Sequence, residues 1–273
     1  MWNQGPDYPR IRRASDAPVK LVPDRNDDPE LAAVVAEHRL QTVFQPQFDL
    51  SSGKLVGAEA LARMPGDDDA EGLFERAAAA GLAERVSREM QREALRLTAG
   101  FGSELDGLGI SINILPQDIA RASYPDWLAG EIERARVDFG RITIELTEEA
   151  VVGDIAAVAA RLDRLRALGL KVALDDFGTG FASFAHLARL PIDILKIDRG
   201  LIAGIERGHR ERVVVRSVLR LARDLDLTVV VEGVETAVQL EMLREWGCDH
   251  YQGFIRARPM PLAQFKQFAA LHA

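Results

Sequence analysis

Short apolar runs that end on an acid or an amide recur from one end of the chain to the other. Leu55-Val56-Gly57-Ala58 runs into Glu59, Ile110-Ser111-Ile112 into Asn113, and Ile142-Thr143-Ile144 into Glu145. Val172-Ala173-Leu174 meets Asp175-Asp176, Ile194-Leu195 meets Lys196 with Ile197-Asp198 after it, Thr228-Val229-Val230-Val231 meets Glu232, and His250-Tyr251 meets Gln252. Apolar runs of this length predict strands. Between them the spacing turns helical. Ile155, Val158, Leu162 and Leu165 precede Gly169 as a helix stop, and Val214, Val218, Leu221 and Leu225 repeat the pattern. Thr236 predicts an N-cap for a helix ending near Gly247.

Strand and helix in alternation predict right-handed crossovers and a parallel sheet. A doubly wound open sheet gathers its site at one switch point, whereas here a polar residue ends nearly every strand. That distribution predicts a closed (β/α)₈ barrel, in which the strand ends converge on one mouth. Acids gathered there repel one another and lose water unless cations neutralise them, so the pattern implies bound metal.

With 273 residues, of which 47% are hydrophobic, the chain has room for one barrel of about 250 residues and a tail. Residues 1–30 are rich in proline and charge without a hydrophobic period and read as a flexible N-terminal arm, leaving 31–273 for the barrel. A net charge of −8 argues against a groove for a nucleic-acid polymer. No uncharged apolar stretch approaches the roughly 20 residues needed to span a bilayer, and the N-terminus lacks the apolar core of a signal peptide. The lone cysteine, Cys248, cannot form an internal disulfide and reads as packing. Together these features predict a soluble cytoplasmic protein without a membrane partner.

Asp175-Asp176-Phe177-Gly178-Thr179-Gly180 is the densest chemical signal. Adjacent carboxylates at a strand terminus can bind, or bridge between, two hard cations about 3.5–4 Å apart, and the glycines let the next loop turn sharply. A protein-kinase reading of Asp-Phe-Gly fails, because no His-Arg-Asp loop or glycine-rich nucleotide loop accompanies it. Glu59-Ala60-Leu61 with Arg63 resembles the signature of the EAL-domain family of cyclic di-GMP phosphodiesterases. Gln45-Pro46, Asn113, Glu145-Leu146-Thr147-Glu148, the Asp175-Asp176 loop, Lys196-Ile197-Asp198, Glu232-Gly233-Val234-Glu235-Thr236 and Gln252-Gly253-Phe254 match that family's motifs in order. The resemblance covers roughly residues 40–261.

The resemblance implies a TIM-like barrel whose first strand, Thr42 to Phe48, runs antiparallel. It implies that Glu59, Asn113, Glu145 and Asp175 hold one divalent cation, and that Asp175 bridges to a second bound by Asp176 and supported by Glu232 and Gln252. Oxygen ligands with an amide suit Mg²⁺ or Mn²⁺ better than Zn²⁺. Lys196, Glu232 and Glu59 would serve catalysis, with the charged form of Lys196 disfavoured beside two cations so that it orients or deprotonates water. Gln45, Leu61, Arg63, Asp198 and Gln252 would hold cyclic di-GMP, and Glu148 the backbone of the loop after Asp176. The implied reaction opens cyclic di-GMP to linear 5′-phosphoguanylyl-guanosine; the alternative is a cyclic di-GMP receptor with little or no turnover. Phe181, Phe184 and Leu187 offer apolar side chains either for a homodimer or for burial within the barrel shell, and a regulatory protein partner stays unidentified. Met64-Pro65-Gly66-Asp67-Asp68-Asp69, Ala77-Ala78-Ala79-Ala80 and Leu115 depart from the family pattern, on the side of the guanine-facing wall.

Overall fold

The computed structural model describes residues 28–66, 70–102, 105, 107–151, 154–179 and 187–272. Eight strands close on themselves: β1 (Gln41–Asp49), β2 (Leu55–Arg63), β3 (Gly109–Ile114), β4 (Ile142–Thr147), β5 (Lys171–Phe177), β6 (Ile194–Ile197), β7 (Thr228–Val231) and β8 (His250–Tyr251). β2 to β8 are parallel neighbours in sequence order, and β1 closes the ring antiparallel to both β2 and β8. Only residues 50–54 separate β1 from β2, too few for a crossover, so the pair can only be a hairpin. Asp49 ties that turn by accepting from the Ser51 and Ser52 hydroxyls. A short β9 (Met260–Pro261) adds to the outer end of β1.

Helices α1 (Pro29–Ala36), α2 (Ala70–Ala79), α3 (Ala83–Ala99), α4 (Pro116–Ile119), α5 (Tyr124–Ala135) and α6 (Ile155–Ala167) precede β5. After β6 come α7 (Arg199–Ile202), α8 (His209–Asp224), α9 (Ala237–Glu245) and α10 (Leu262–Ala270). The main core lies between the barrel wall and this shell, where Val158, Leu162 and Leu165 of α6 are buried as their spacing predicts. Thr236 caps α9 in a reciprocal box with Gln239. A second cluster joins Leu31, Val34 and Val35 of α1 to Leu73 and Ala77 of α2 and Val86 and Met90 of α3.

Three expectations need correction. The apolar runs do not stop at the acids: Glu59, Asn113, Glu145 and Asp175 lie within strands that continue past them, because a barrel lumen accepts inward polar side chains wherever they can be paired. In α8 the buried stripe is Val215, Val218, Leu219 and Ala222, while Val214 and Leu225 are exposed. Consecutive valines at 213–215 leave the helical phase ambiguous until the wall beneath selects a face. Leu187 is buried in the core and so offers no free surface. Phe181, Phe184 and residues 1–27 of the expected arm lie outside the described residues, and Pro29 and Glu30 already belong to α1, capped by the Asp28 side chain.

Candidate active site

The strands bring the predicted polar residues to one mouth through their register. Gln45 of β1 stands opposite Glu59 of β2, Asn113 opposite Glu145, and Thr147 opposite Asp175. Successive residues of a regular strand point to opposite faces, so adjacent aspartates should not share a site. Here the β5–β6 ladder slips between Leu174 and Phe177, and Asp176 takes a left-handed φ of 57°. This irregularity turns both carboxylates to the mouth. Just past β8, Gln252 is followed by Gly253, where a Cβ would lie 2.1 Å from the Val234 carbonyl oxygen.

Lys196, 1% exposed, is the hub. Its Nζ lies 2.8 Å from Glu145 Oε2, 2.9 Å from Asp175 Oδ2, 2.8 Å from Glu232 Oε1 and 3.5 Å from Glu59 Oε2. Amides complete the ring. Asn113 Nδ2 donates to Glu59 Oε1 at 2.9 Å, and Gln252 Nε2 donates to Glu59 Oε2 at 2.8 Å and Glu232 Oε1 at 2.9 Å. Gln47 Nε2 in turn donates to Gln252 Oε1 at 3.0 Å. Gln47 was not among the predicted site residues, although its place two residues after Gln45, on the same face of β1, was the available signal.

Carboxylates in this setting titrate far from their usual range. Burial, then the Asp175 charge, pushes Asp176 up to about 6. Burial pushes Glu232 up to about 8 against the pull of Lys196. Burial also raises Glu145 and Asp175, against the same ammonium. Glu59 moves the other way: burial opposes its charge, but Lys196 and the amides of Gln252 and Asn113 prevail. Burial works against the Lys196 ammonium too, yet Asp175, Glu145, Glu232 and Glu59 together hold it charged well above the ordinary lysine range.

Two triads of carboxylate oxygens, Glu59 with Glu145 and Asp175, and Asp175 with Asp176 and Glu232, each lie within 4.8 Å of one another and share Asp175. Hard oxygen donors with excess negative charge fit a divalent cation in each triad. Beside them a cavity of about 270 Å³ is lined by Gln45, Leu61, Asp198 and Gln252, and a second of about 750 Å³ runs from Glu59, Leu61 and Asp176 toward Phe74 and Met90. Arg63 ends β2 two residues beyond Leu61, half-buried, and its Nη1 donates to the Ala62 carbonyl at 2.7 Å. Glu148 Oε1 accepts from the Gly178 backbone N–H at 3.2 Å, directly behind Asp176. Glu235 is exposed at the rim of the smaller cavity, and the buried Cys248 thiol, pushed up to about 12 by burial, packs away from the mouth.

A family model described as the EAL domain matches residues 30–259. The cyclic di-GMP phosphodiesterase NbdA of Pseudomonas aeruginosa is 33% identical over 258 residues, which is 92% of this chain and 33% of that protein. The solved complex of the PaMucR phosphodiesterase with c-di-GMP is similar with a TM-score of 0.78 and 31% identity, covering 86% of this chain and 99% of that one. Klebsiella pneumoniae BlrP1, solved as a manganese and cy-diGMP complex, is similar with a TM-score of 0.74 and 30% identity, covering 81% of this chain and 56% of that one. The chain spans roughly a third of the length of curated relatives such as NbdA and MucR.

Proposed function

Because the chain belongs to the EAL-domain family, we propose that it is a phosphodiesterase that uses two divalent cations, Mg²⁺ or Mn²⁺, to hydrolyse cyclic di-GMP to linear 5′-phosphoguanylyl-guanosine. The observation that carries this reading is the pair of carboxylate triads sharing Asp175. A receptor that had given up turnover would not need this complete set around a buried lysine.

Glu59, Asn113, Glu145 and Asp175 would hold one cation, and Asp175, Asp176 and Glu232 the other, with Gln252 supporting the acids around it. When bound, two such ions activate the attacking oxygen and stabilise the leaving oxygen of an in-line displacement. The chain's own groups do the rest. Lys196 Nζ, drawn into the ring by four carboxylates, orients the attacking water, and would exchange a proton with it only where bound cations disfavour its charged form. Gln252 joins the β2 and β7 acids through one amide, and Gln47 fixes which way that amide points. Gln45, Leu61, Arg63 and Asp198 orient the dinucleotide across the mouth. No described helix is long and apolar enough to cross a membrane, and a cytoplasmic location, a homodimer and a regulatory partner belong to this proposal.

The test is to incubate the purified chain with cyclic di-GMP and Mg²⁺ or Mn²⁺ and separate the nucleotides. The expected product is the linear dinucleotide, with Asp175→Asn and Asp176→Asn both inactive. Binding without cleavage under either metal would make the protein a receptor, and full activity in either variant would remove the two-ion assignment.

A further inference from the structure

A buried polar chain lies behind the ring of candidate ligands. Helix α3 turns Ser87 and Gln91, each 2% exposed, toward Asp118, which is fully buried in α4 just after β3. Ser87 Oγ donates to Asp118 Oδ2 at 2.6 Å, and Gln91 Nε2 donates to Ser87 Oγ at 2.8 Å. The same amide nitrogen reaches Asp118 Oδ2 and the backbone carbonyl of Asn113, each at 3.3 Å. Gln91 Oε1 accepts from the buried Tyr124 hydroxyl at 3.0 Å. Asp118 also accepts from the Leu115 N–H at 3.2 Å and from Arg88 Nε at 3.1 Å, and the Arg88 guanidinium lies 3.8 Å from the Trp127 ring centre.

The place where this chain ends is what gives it meaning. The β2–β3 ladder runs only as far as Ala60 opposite Ile112, so at Asn113 the strand has lost its β2 partner and the Gln91 amide meets its carbonyl instead. Asn113 is also the neutral member of its ligand set. A carboxylate is drawn to a cation by charge, whereas an amide contributes only its dipole, and its placement depends more on the backbone that carries it. With Gln91 gripped by Ser87, Asp118 and Tyr124, the turn from β3 into α4 is held against α3 by groups that cannot relax without leaving a buried polar atom unpaired.

We propose that Gln91, fixed by Ser87 and Asp118, is a positioning residue of the metal centre, holding the end of β3 so that Asn113 stays beside Glu59. The proposal rests on the divalent-metal reading given above. Gln91→Met keeps the volume and removes the amide. Calorimetric titration of the metal-free protein with Mn²⁺, well below the melting temperature, should show affinity lowered about tenfold, the lower end of the loss on removing an outer partner of a metal ligand. Ser87→Ala removes only the bridging hydroxyl, should weaken Mn²⁺ in the same direction, and decides the matter where Gln91→Met does not fold. Unchanged Mn²⁺ affinity with a lowered melting temperature would reduce the network to packing and overturn the proposal. Should the unmodified chain itself bind no Mn²⁺, the metal reading falls separately. Hydrogen exchange then decides positioning: faster exchange confined to residues 113–115 of the variant supports it, and unchanged or globally faster exchange overturns it.

Discussion

Lys196 is where the chemistry of single residues is concentrated, since an ammonium that is 1% exposed touches acids from four strands or strand ends. If it acts on the attacking water, Lys196→Ala should slow single-turnover hydrolysis by about 10²–10⁴-fold, the range for a positioned acid–base group, or about 3–5 kcal/mol. Cyclic di-GMP affinity measured with Ca²⁺ in place of the active metal should change far less. A parallel collapse of rate and affinity would reassign Lys196 to substrate holding. Every proposed ligand was legible in the residues, because each sits in a motif with companions at family-like spacing. Gln47 had only its shared face with Gln45 as a signal, and Gln91 and Asp118 had none, because their meaning comes from partners distant in sequence: Gln91 meets Asn113, and Asp118 meets Ser87.

At the scale of elements, the bulged end of β5 and the turn after it decide whether Asp176 joins Asp175. Gly178 adopts a φ of 111°, donates to Glu148, and would place a Cβ 2.2 Å from Leu201 Cδ1. Gly178→Ala should therefore cost about 1–3 kcal/mol of stability in denaturant unfolding, and should weaken Mn²⁺ binding as the turn shifts. Wild-type stability and metal affinity together would mean that the turn adapts without moving Asp176. Helix existence was readable, from apolar spacing in α6 and from the Thr236 cap in α9. The facing of α8 was not, because Val213, Val214 and Val215 offer two apolar stripes and only the packed wall distinguishes Val215 from its neighbours.

Across the whole molecule, the acid-rich lumen makes the fold sensitive to pH. Asp176 rises from 3.8 to about 6 and Glu232 from 4.5 to about 8, so between the unfolded and folded values the folded state keeps protons that the unfolded chain has released. Stability in chelator is then highest near the unfolded values and falls as pH climbs through 6 toward 8. Raised Glu145 and Asp175 add to that trend. The lowered Glu59 contributes in the opposite sense, but its effect is complete above 4.5. Metal must displace the retained protons, so Mn²⁺ should bind more tightly at pH 8 than at pH 5.5, with proton release visible as a buffer-dependent heat. A chelated protein whose melting temperature rises from pH 5.5 to pH 8 would contradict this charge arrangement.

The sequence alone determined the alternation of strand and helix, the acid and amide positions that face the mouth, and through their order the family resemblance, because these depend on residue type and local spacing. Tertiary structure decided the slip in β5 that lets two neighbouring aspartates share one site. It also decided the charge state of the site. A lysine's ionisation depends on the summed field of all groups around it, and the four carboxylates that surround Lys196 come from separated strands and meet only in the fold.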